Sequence, residues 1–390
     1  MSERAAALHG LPLLEDLGEL EGRWVLVRAD FNVPMAEGPS GRVIADEMRI
    51  RESVPTLQWL LERGATVVCC SHLGRPKDGF EERLSMAPIA ARVAELAPGV
   101  EVMENLRFDP REVSNDPTFV AELIKGFDAY VNDAFGASHR SHASTVGPPA
   151  FLPSAAGRLL EREVEVLGGL LLHPARPFVA IVGGAKVADK LGVLQALSTK
   201  ADTIVVGGGM AYTFLAAMGR RVGGSMLDLS RIDECRAIID GQATILLPSD
   251  VVALEPGATF GSGATDGEVR TYEGDLDEGW VGLDIGPRSA AAFAEVIAEA
   301  GTVLWNGPMG VFEDSRFSLG TQVVGEAVAT THGTSVVGGG DSARAIEEMG
   351  LAAKIDYIST GGGASLEYLE FGDLPALEAL RHAPNAPRQA

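Results

Sequence analysis

The stretch FVAIVGGAKVADK, residues 178–190, reads as an apolar strand that ends in two glycines and opens onto a helix. Its strand portion is almost continuously apolar rather than alternating, the pattern of a strand buried on both faces of a parallel sheet. The same unit recurs along the chain. Comparable runs are WVLVRAD (24–30), TVVCCS (66–71), DAYVND (128–133), TIVVGG (203–208), TILLP (244–248), TVLWNG (302–307) and TSVVGG (334–339). Helical patterns lie between them, such as SVPTLQWLLERG (53–64), AAAFAEVIAEAG (290–301) and SARAIEEMG (342–350). Strand–helix alternation over this length predicts doubly wound α/β domains.

A chain of 390 residues is too long for one ordinary core and fits two domains. The boundary falls in GPPAFLPSAAGRLL (147–160), where Pro and Gly interrupt the pattern before a helix over LLEREVEVLGGLL. The net charge is −22, with both halves acidic, which argues against nucleic-acid and membrane partners. Any anion site must therefore be a local cluster of arginines. Only six of the 32 basic residues are lysines. Three cysteines, Cys69, Cys70 and Cys235, form neither a disulfide framework nor a zinc motif. The N-terminus lacks the apolar core of a signal peptide. The charge-free run 203–219 is interrupted by glycines and too short to span a bilayer. The expectation is a soluble protein in a reducing cytoplasm.

Ligands of this fold class bind where strands end and helices begin. In the first half, the strand ends are followed by Asp30-Phe31-Asn32, by His72-Leu73-Gly74-Arg75, by Glu104-Asn105-Leu106-Arg107, and by a run containing His139, Arg140 and His142. Arg49 follows an acidic stretch. Arginine grips phosphate and carboxylate through its planar fork, so several converging arginines predict a site for a small multiply charged anion.

In the second half, glycine triplets 207–209, 338–340 and 361–363 follow strand-like runs. Such loops let backbone N–H groups approach phosphates at a helix N-terminus. Lys186 and Lys190 stand four apart on one face of an opening helix, where the dipole disfavours cations and a phosphate would accept them. No Gly-Lys dipeptide occurs, which excludes a Walker A loop. Gly338-x-Gly340-x-x-Ala343, with Asp356 beyond it, matches a dinucleotide fingerprint and keeps a nicotinamide dehydrogenase open. The carboxylate of Asp341 directly after the glycines instead suits Mg²⁺ bridging to phosphate. A non-catalytic anion-binding protein is a third reading.

Longer motifs carry a resemblance. DFNVP (30–34), SHLGRP (71–76), ENLRF (104–108), NDAFGASHRSH (132–142), GGAKVADK (183–190), GGGMAYTF (207–214), WNGPMGVFE (305–313), GGGDSA (338–343) and STGGGAS (359–365) resemble phosphoglycerate kinase, in that family's order. The resemblance implies two Rossmann-like three-layer αβα domains with parallel sheets facing a cleft. It implies an N-terminal phosphoglycerate-binding domain (1–155), an interdomain helix and hinge (156–175) and a C-terminal nucleotide-binding domain (176–365). A last segment (366–390) would return to the N-terminal domain.

By position, Asp30, Asn32, Arg49, His72, Leu73, Gly74, Arg75, Arg107 and Arg140 resemble the phosphoglycerate site. Lys190, Gly207, Gly208, Glu313, Gly339, Gly340, Asp341 and Ser342 resemble the nucleotide site, with Glu313 on the ribose and Asp341 holding the magnesium. Arg49, Lys186, Lys190, Gly340 and Gly362 are similar to the groups that neutralise the phosphoryl group in flight. The activity implied is reversible phosphoryl transfer between 1,3-bisphosphoglycerate and ADP in glycolysis, by a cytoplasmic, magnesium-using monomer whose domains close. Arg288 stands where the family usually has lysine, and Tyr357 where some members have histidine. The tail 381–390 is expected to fray.

Overall fold

The computed structural model describes residues 3–38, 41–77 and 79–387. The chain divides into two compact units. One holds residues up to Gly169 together with those from Gly372 on, and the other holds Leu170–Phe371.

The first unit contains β1 (Trp24–Ala29), β2 (Met35–Gly38), β3 (Gly41–Ile44), β4 (Thr66–Cys70), β5 (Glu101–Val102), β6 (Ala129–Asp133) and β7 (Ser154–Ala156). Five of these form a sheet in the order β5-β4-β1-β6-β7, every pairing parallel. The nearly continuous apolar runs have the physical consequence expected of them. All of β6 and all but the first residue of β1 and of β4 are buried. Leu57 and Leu60 of the helix Met48–Leu61 and Ile89 and Val93 of the helix Ala87–Leu96 share the sheet's core with Val25, Val27 and Val67. Short helices after β5 start at Asp109 and Asp116, whose carboxylates accept the N–H of Arg111 and Thr118 and cap the first turn, with Pro next in line.

The segment beyond Gly372 belongs to this unit through specific bonds. Ala376 N donates to Ser138 O (3.1 Å), and Arg381 Nε donates to His9 O (3.2 Å). Asn385 receives the N–H of Ser154 on its Oδ1 (2.8 Å) and returns Nδ2 to Ser154 O (3.1 Å). The tail expected to fray is thus fastened to β7 as far as it is described. Residues 388–390 lie outside the described residues.

The second unit contains β8 (Phe178–Val182), β9 (Thr203–Val206), β10 (Thr244–Leu246), β11 (Asp250–Leu254), β12 (Val269–Glu273), β13 (Val281–Ile285), β14 (Thr302–Asn306), β15 (Thr334–Gly338) and β16 (Tyr357–Ile358). Its main sheet is parallel, β10-β9-β8-β14-β15-β16. Trp305, wholly buried, anchors a core with Phe293, Ile297, Val324 and Ile346 from the covering helices. A second sheet, β12-β11-β13, is antiparallel. The sequence reading contains neither it nor the β2–β3 hairpin. For β12 (VRTYE) the reason lies in exposure, since it is almost entirely in solvent and carries no continuous apolar run; β11 and β13 are mostly buried, but each short run contains a buried aspartate, Asp250 and Asp284. Among the described residues, no helix is long and apolar enough to cross a membrane.

Asp133, at the end of β6, is wholly buried and accepts the N–H of Leu159 (3.0 Å) at the start of the helix Arg158–Leu172. Burial pushes its carboxyl up to about 7, against an ordinary value of 3.8. A carboxyl whose folded pKa is raised takes up a proton on folding, so its contribution to stability falls as pH climbs from about 4 to about 7. Asp133→Asn keeps an acceptor at the helix start and removes the ionisation. The expected outcome is that this variant is more favourable relative to the parent at pH 8 than at pH 5, read by urea unfolding at both pH values. An equal difference at the two would show that Asp133 is not the titrating group.

Candidate active site

In the first unit the strand ends assemble a cationic floor. Asp30, just beyond β1, is buried and accepts Arg49 Nη1 on Oδ2 (3.0 Å); the same nitrogen reaches Asn32 O (3.2 Å). Asn32 Oδ1 accepts the N–H of Gly74 (2.8 Å), which fixes the loop after β4. Leu73 is buried, and its carbonyl accepts Asn105 Nδ2 (2.8 Å). Arg107 Nη1 donates to Gly74 O (2.8 Å). Arg75, Arg107, Arg140 and His142 meet on the wall of one cavity of about 740 Å³.

Arg28 is absent from the sequence reading and lies beneath this floor. It sits inside β1 with no exposure. Its Nε donates to Ser144 Oγ (3.0 Å), and Ser144 in turn donates to the buried carboxylate of Glu112 (2.6 Å). Its Nη2 lies 3.0 Å from His72 Nδ1. A guanidinium can only donate, so Nδ1 accepts and the ring proton is assigned to Nε2. His72 is almost fully buried among Arg28, Arg107, Arg49 and Arg140, and both burial and these charges hold its pKa well below the histidine range. It is therefore a neutral ring with one N–H to offer. Burial and the neighbouring Arg140 and Arg28 lower even Arg107, to about 10. The signal available in the sequence was one charged residue in an otherwise apolar strand run, WVLVRA.

In the second unit the loops after β8, β14 and β15 and the one following β16 enclose a cavity of about 430 Å³. Its wall includes Gly184, Lys186, Lys190, Asn306, Gly340, Asp341, Ser342 and Gly362. The helix Gly340–Glu348 begins at this wall, with Gly339 before it at φ +90°. Ser342 Oγ accepts the N–H of Gly307 (2.5 Å), tying the loop after β14 to that helix. The two lysines do not share an opening helix as the spacing suggested. Val187–Asp189 is a 3₁₀ turn, and the α-helix begins only at Leu191, so both lysines precede its N-terminus.

Lys190 contacts Asn306 Oδ1. Asn306 is buried, and its Nδ2 has no partner although it lines the cavity. An unsatisfied buried donor beside a lysine and a helix N-terminus is a place for an anionic oxygen. Asn306 too was absent from the sequence reading; a polar residue closing the apolar run TVLWN was its signal.

The glycine triplets behave differently from one another. Gly207 N donates to Val182 O (3.0 Å) and Gly208 N to Met309 O (2.9 Å), so these amides are spent inside the protein. A Cβ on Gly208 would stand 2.6 Å from the backbone of Gly184. Gly207 and Gly208 therefore serve close backbone approach, and their amides are engaged within the protein rather than open to a phosphate as the loop reading expected. Gly340 and Gly362 face open space. Arg288 pairs with Glu273 of β12 (2.7 Å), and its N–H caps onto Asp250. Glu313 pairs with Arg344.

A family model for phosphoglycerate kinase matches residues 14–371. The chain belongs to the phosphoglycerate kinase family. It is 49% identical over 386 residues to a phosphoglycerate kinase of Rubrobacter xylanophilus, covering 93% of this chain and 96% of that one. It is 48% identical to one from a Parafrankia strain, covering 94% and 99%. Among solved structures, the phosphoglycerate kinase of Coxiella burnetii superposes with a TM-score of 0.83 at 36% identity, over 93% of this chain and 97% of that one. That of Pyrococcus horikoshii gives 0.79 at 30%, over 95% and 99%. The family reaction is reversible phosphoryl transfer from 1,3-bisphosphoglycerate to ADP, giving 3-phosphoglycerate and ATP in glycolysis, and it is the reaction of this chain.

Lys190 carries a readable consequence. Burial lowers its ammonium to about 8 despite the opposing pull of Asp341 and Asp189. A bound polyanion favours the charged form. A polyanion bound beside Lys190 at pH 8.5 should therefore bring proton uptake, and ADP is the probe of whether the nucleotide is that polyanion. Calorimetric titration with ADP in two buffers of different ionisation enthalpy should give different apparent enthalpies, and the difference should vanish in Lys190→Arg.

Proposed function

We propose that the two clusters are the two substrate sites of this reaction. The arginine floor of the first unit takes 3-phosphoglycerate or the bisphosphoglycerate, through Asp30, Asn32, Arg49, His72, Leu73, Gly74, Arg75, Arg107 and Arg140. The cavity of the second unit takes ADP or ATP, through Lys190, Gly339, Gly340, Asp341, Ser342 and Glu313, with Gly207 and Gly208 holding the wall behind it. The observation that carries the assignment is the pairing of chemistries. One site is a convergence of guanidinium groups around a neutral histidine. The other is a glycine-edged helix N-terminus beside two lysines.

The donor set suits a magnesium ion that arrives with the nucleotide. Asp341 offers a largely exposed carboxylate at the cavity wall, and no cluster of three or more His, Cys, Asp or Glu side chains that could hold a metal occurs among the described residues. Asp341 would hold the ion and phosphate oxygens would complete its shell. When bound, it neutralises charge on the transferring phosphates.

No protein nucleophile is needed, because the attacking oxygen is already anionic in either direction. What remains for the side chains is alignment and charge neutralisation. Arg49 of the first unit, and Lys186, Lys190 and the amides at Gly340 and Gly362 of the second, supply it in one in-line step. That step needs the two units to close about residues 156–175, which also keeps water from the acyl phosphate. The free, buried cysteines and the acidic surface fit a cytoplasmic monomer with no nucleic-acid or membrane partner.

Arg49→Ala and Lys186→Ala should each lower turnover by about 100-fold or more, the scale of one lost donor to a developing charge. The assay is acyl phosphate formed from 3-phosphoglycerate and Mg-ATP; an unchanged rate would remove that residue's role. His72→Ala should raise KM for 3-phosphoglycerate with turnover largely kept. Loss of turnover at unchanged KM would contradict a purely positioning neutral donor.

A further inference from the structure

Glu313 lies on the loop between β14 and the helix Leu319–Thr330. The backbone of that loop is pinned on both sides of it. Val311 N donates to Leu283 O (2.9 Å), and Asp314 N donates back to Val311 O (3.0 Å). The buried carboxylate of Asp314 accepts Arg316 Nε (2.9 Å) and Nη2 (2.7 Å), and also Gly261 N (3.1 Å). The main chain at Glu313 is therefore fixed, whereas its side chain is half in solvent and free to rotate unless something holds it.

Arg344 holds it. This residue is one turn beyond Asp341 on the helix Gly340–Glu348 and reaches across to Glu313 Oε1 through Nη2. Its guanidinium lies over the ring of Phe312, 4.7 Å from the centroid. It also stands 4.0 Å from Asp341 Oδ1 and 4.0 Å from Glu348 Oε1. Arg344 thus bridges the carboxylate assigned to the ribose and the one assigned to the metal. The pairing uses Oε1 of Glu313 and leaves Oε2 as an acceptor.

We propose that Arg344 is a positioning residue of the nucleoside subsite, orienting Glu313 toward the ribose hydroxyls. The idea rests on the ribose assignment of Glu313 above. A planar fork held flat on Phe312 fixes the direction of the carboxylate, which a mobile point charge does not. Hydroxyl selection in this subsite then depends on a residue that touches no part of the substrate.

The test is steady-state formation of acyl phosphate, trapped as its hydroxamate, from 3-phosphoglycerate with Mg-ATP or with Mg-2′,3′-dideoxy-ATP. It compares the full chain with Arg344→Ala, Arg344→Gln, Arg344→Lys and Glu313→Gln. In Arg344→Ala and Arg344→Gln, KM for ATP should rise about five-fold with kcat within about two-fold, the size of one exposed charged contact. KM for the dideoxy nucleotide should hardly move, so selection for the ribose falls toward that of Glu313→Gln. Arg344→Lys should recover part of it, and the double variant Arg344→Ala/Glu313→Gln should be no worse than Glu313→Gln alone. If Glu313→Gln loses ribose selection while both Arg344 variants keep it, the ribose assignment stands and the role of Arg344 is wrong. If Glu313→Gln itself keeps ribose selection, the assignment fails and the proposal fails with it. If the Arg344 variants raise KM equally for both nucleotides, the effect is general electrostatics and orientation of Glu313 is refuted.

Discussion

Mutual repulsion among cations is the constraint on which the first unit depends. Burial and, after it, four arginines depress the protonation of His72, and burial together with Arg140 and Arg28 lowers Arg107. The scaffold must hold them together against this repulsion. It does so with oxygens placed to the side: the carbonyl of Gly74 for Arg107, Asp30 for Arg49, and Ser144 backed by Glu112 for Arg28. Cations held in place in this way stabilise an anionic guest without rearranging when it arrives. The acidic remainder of the chain makes this concentration of positive charge invisible in the net value of −22.

The second unit solves the opposite problem, bringing backbones together. A Cβ on Gly183 would run into the carbonyls of Gly307 and Pro308, and one on Gly208 into Gly184. With the loops after β8, β9 and β14 packed main chain against main chain, few side chains can enter the cavity. The polar ones on its wall, Lys186, Asp189, Lys190, Asn306, Asp341 and Ser342, therefore determine its chemistry. The unpaired amide of Asn306 and the lowered ammonium of Lys190 are both consequences of that crowding.

How much of this could be read beforehand depended on whether a residue's partner lay nearby in sequence. Buried parallel strands announced themselves, because FVAIV and AYVND must satisfy two apolar faces at once. The strand-end arginines were equally visible. Arg28 was not, since its partners Ser144 and Glu112 are more than 80 residues away, and a lone arginine in a strand run looks like an edge. Three glycine triplets looked alike, yet Gly207 and Gly208 spend their amides on Val182 and Met309 while Gly340 and Gly362 face open space. That difference is made by neighbouring loops, not by the triplets. Of the antiparallel strands of the second unit, β12 stayed hidden because it lies almost entirely in solvent, whereas β11 and β13 are mostly buried and their five-residue runs DVVAL and VGLDI each contain a buried aspartate that dilutes the apolar signal.

The fastening of Asn385 to Ser154 has a consequence for how the chain is made. The second unit is a continuous stretch, Leu170–Phe371, and every one of its strands has left the ribosome before the last helix emerges. The first unit is begun earliest and completed last, because β7 and the carbonyl of Ser138 wait for residues 376–385. Closing that gap spans more than 200 residues, a large loop to join late. During synthesis the N-terminal sheet must remain soluble with one flank uncovered. Its edge strand β7 is only three residues long, which limits what it can pair with in the meantime.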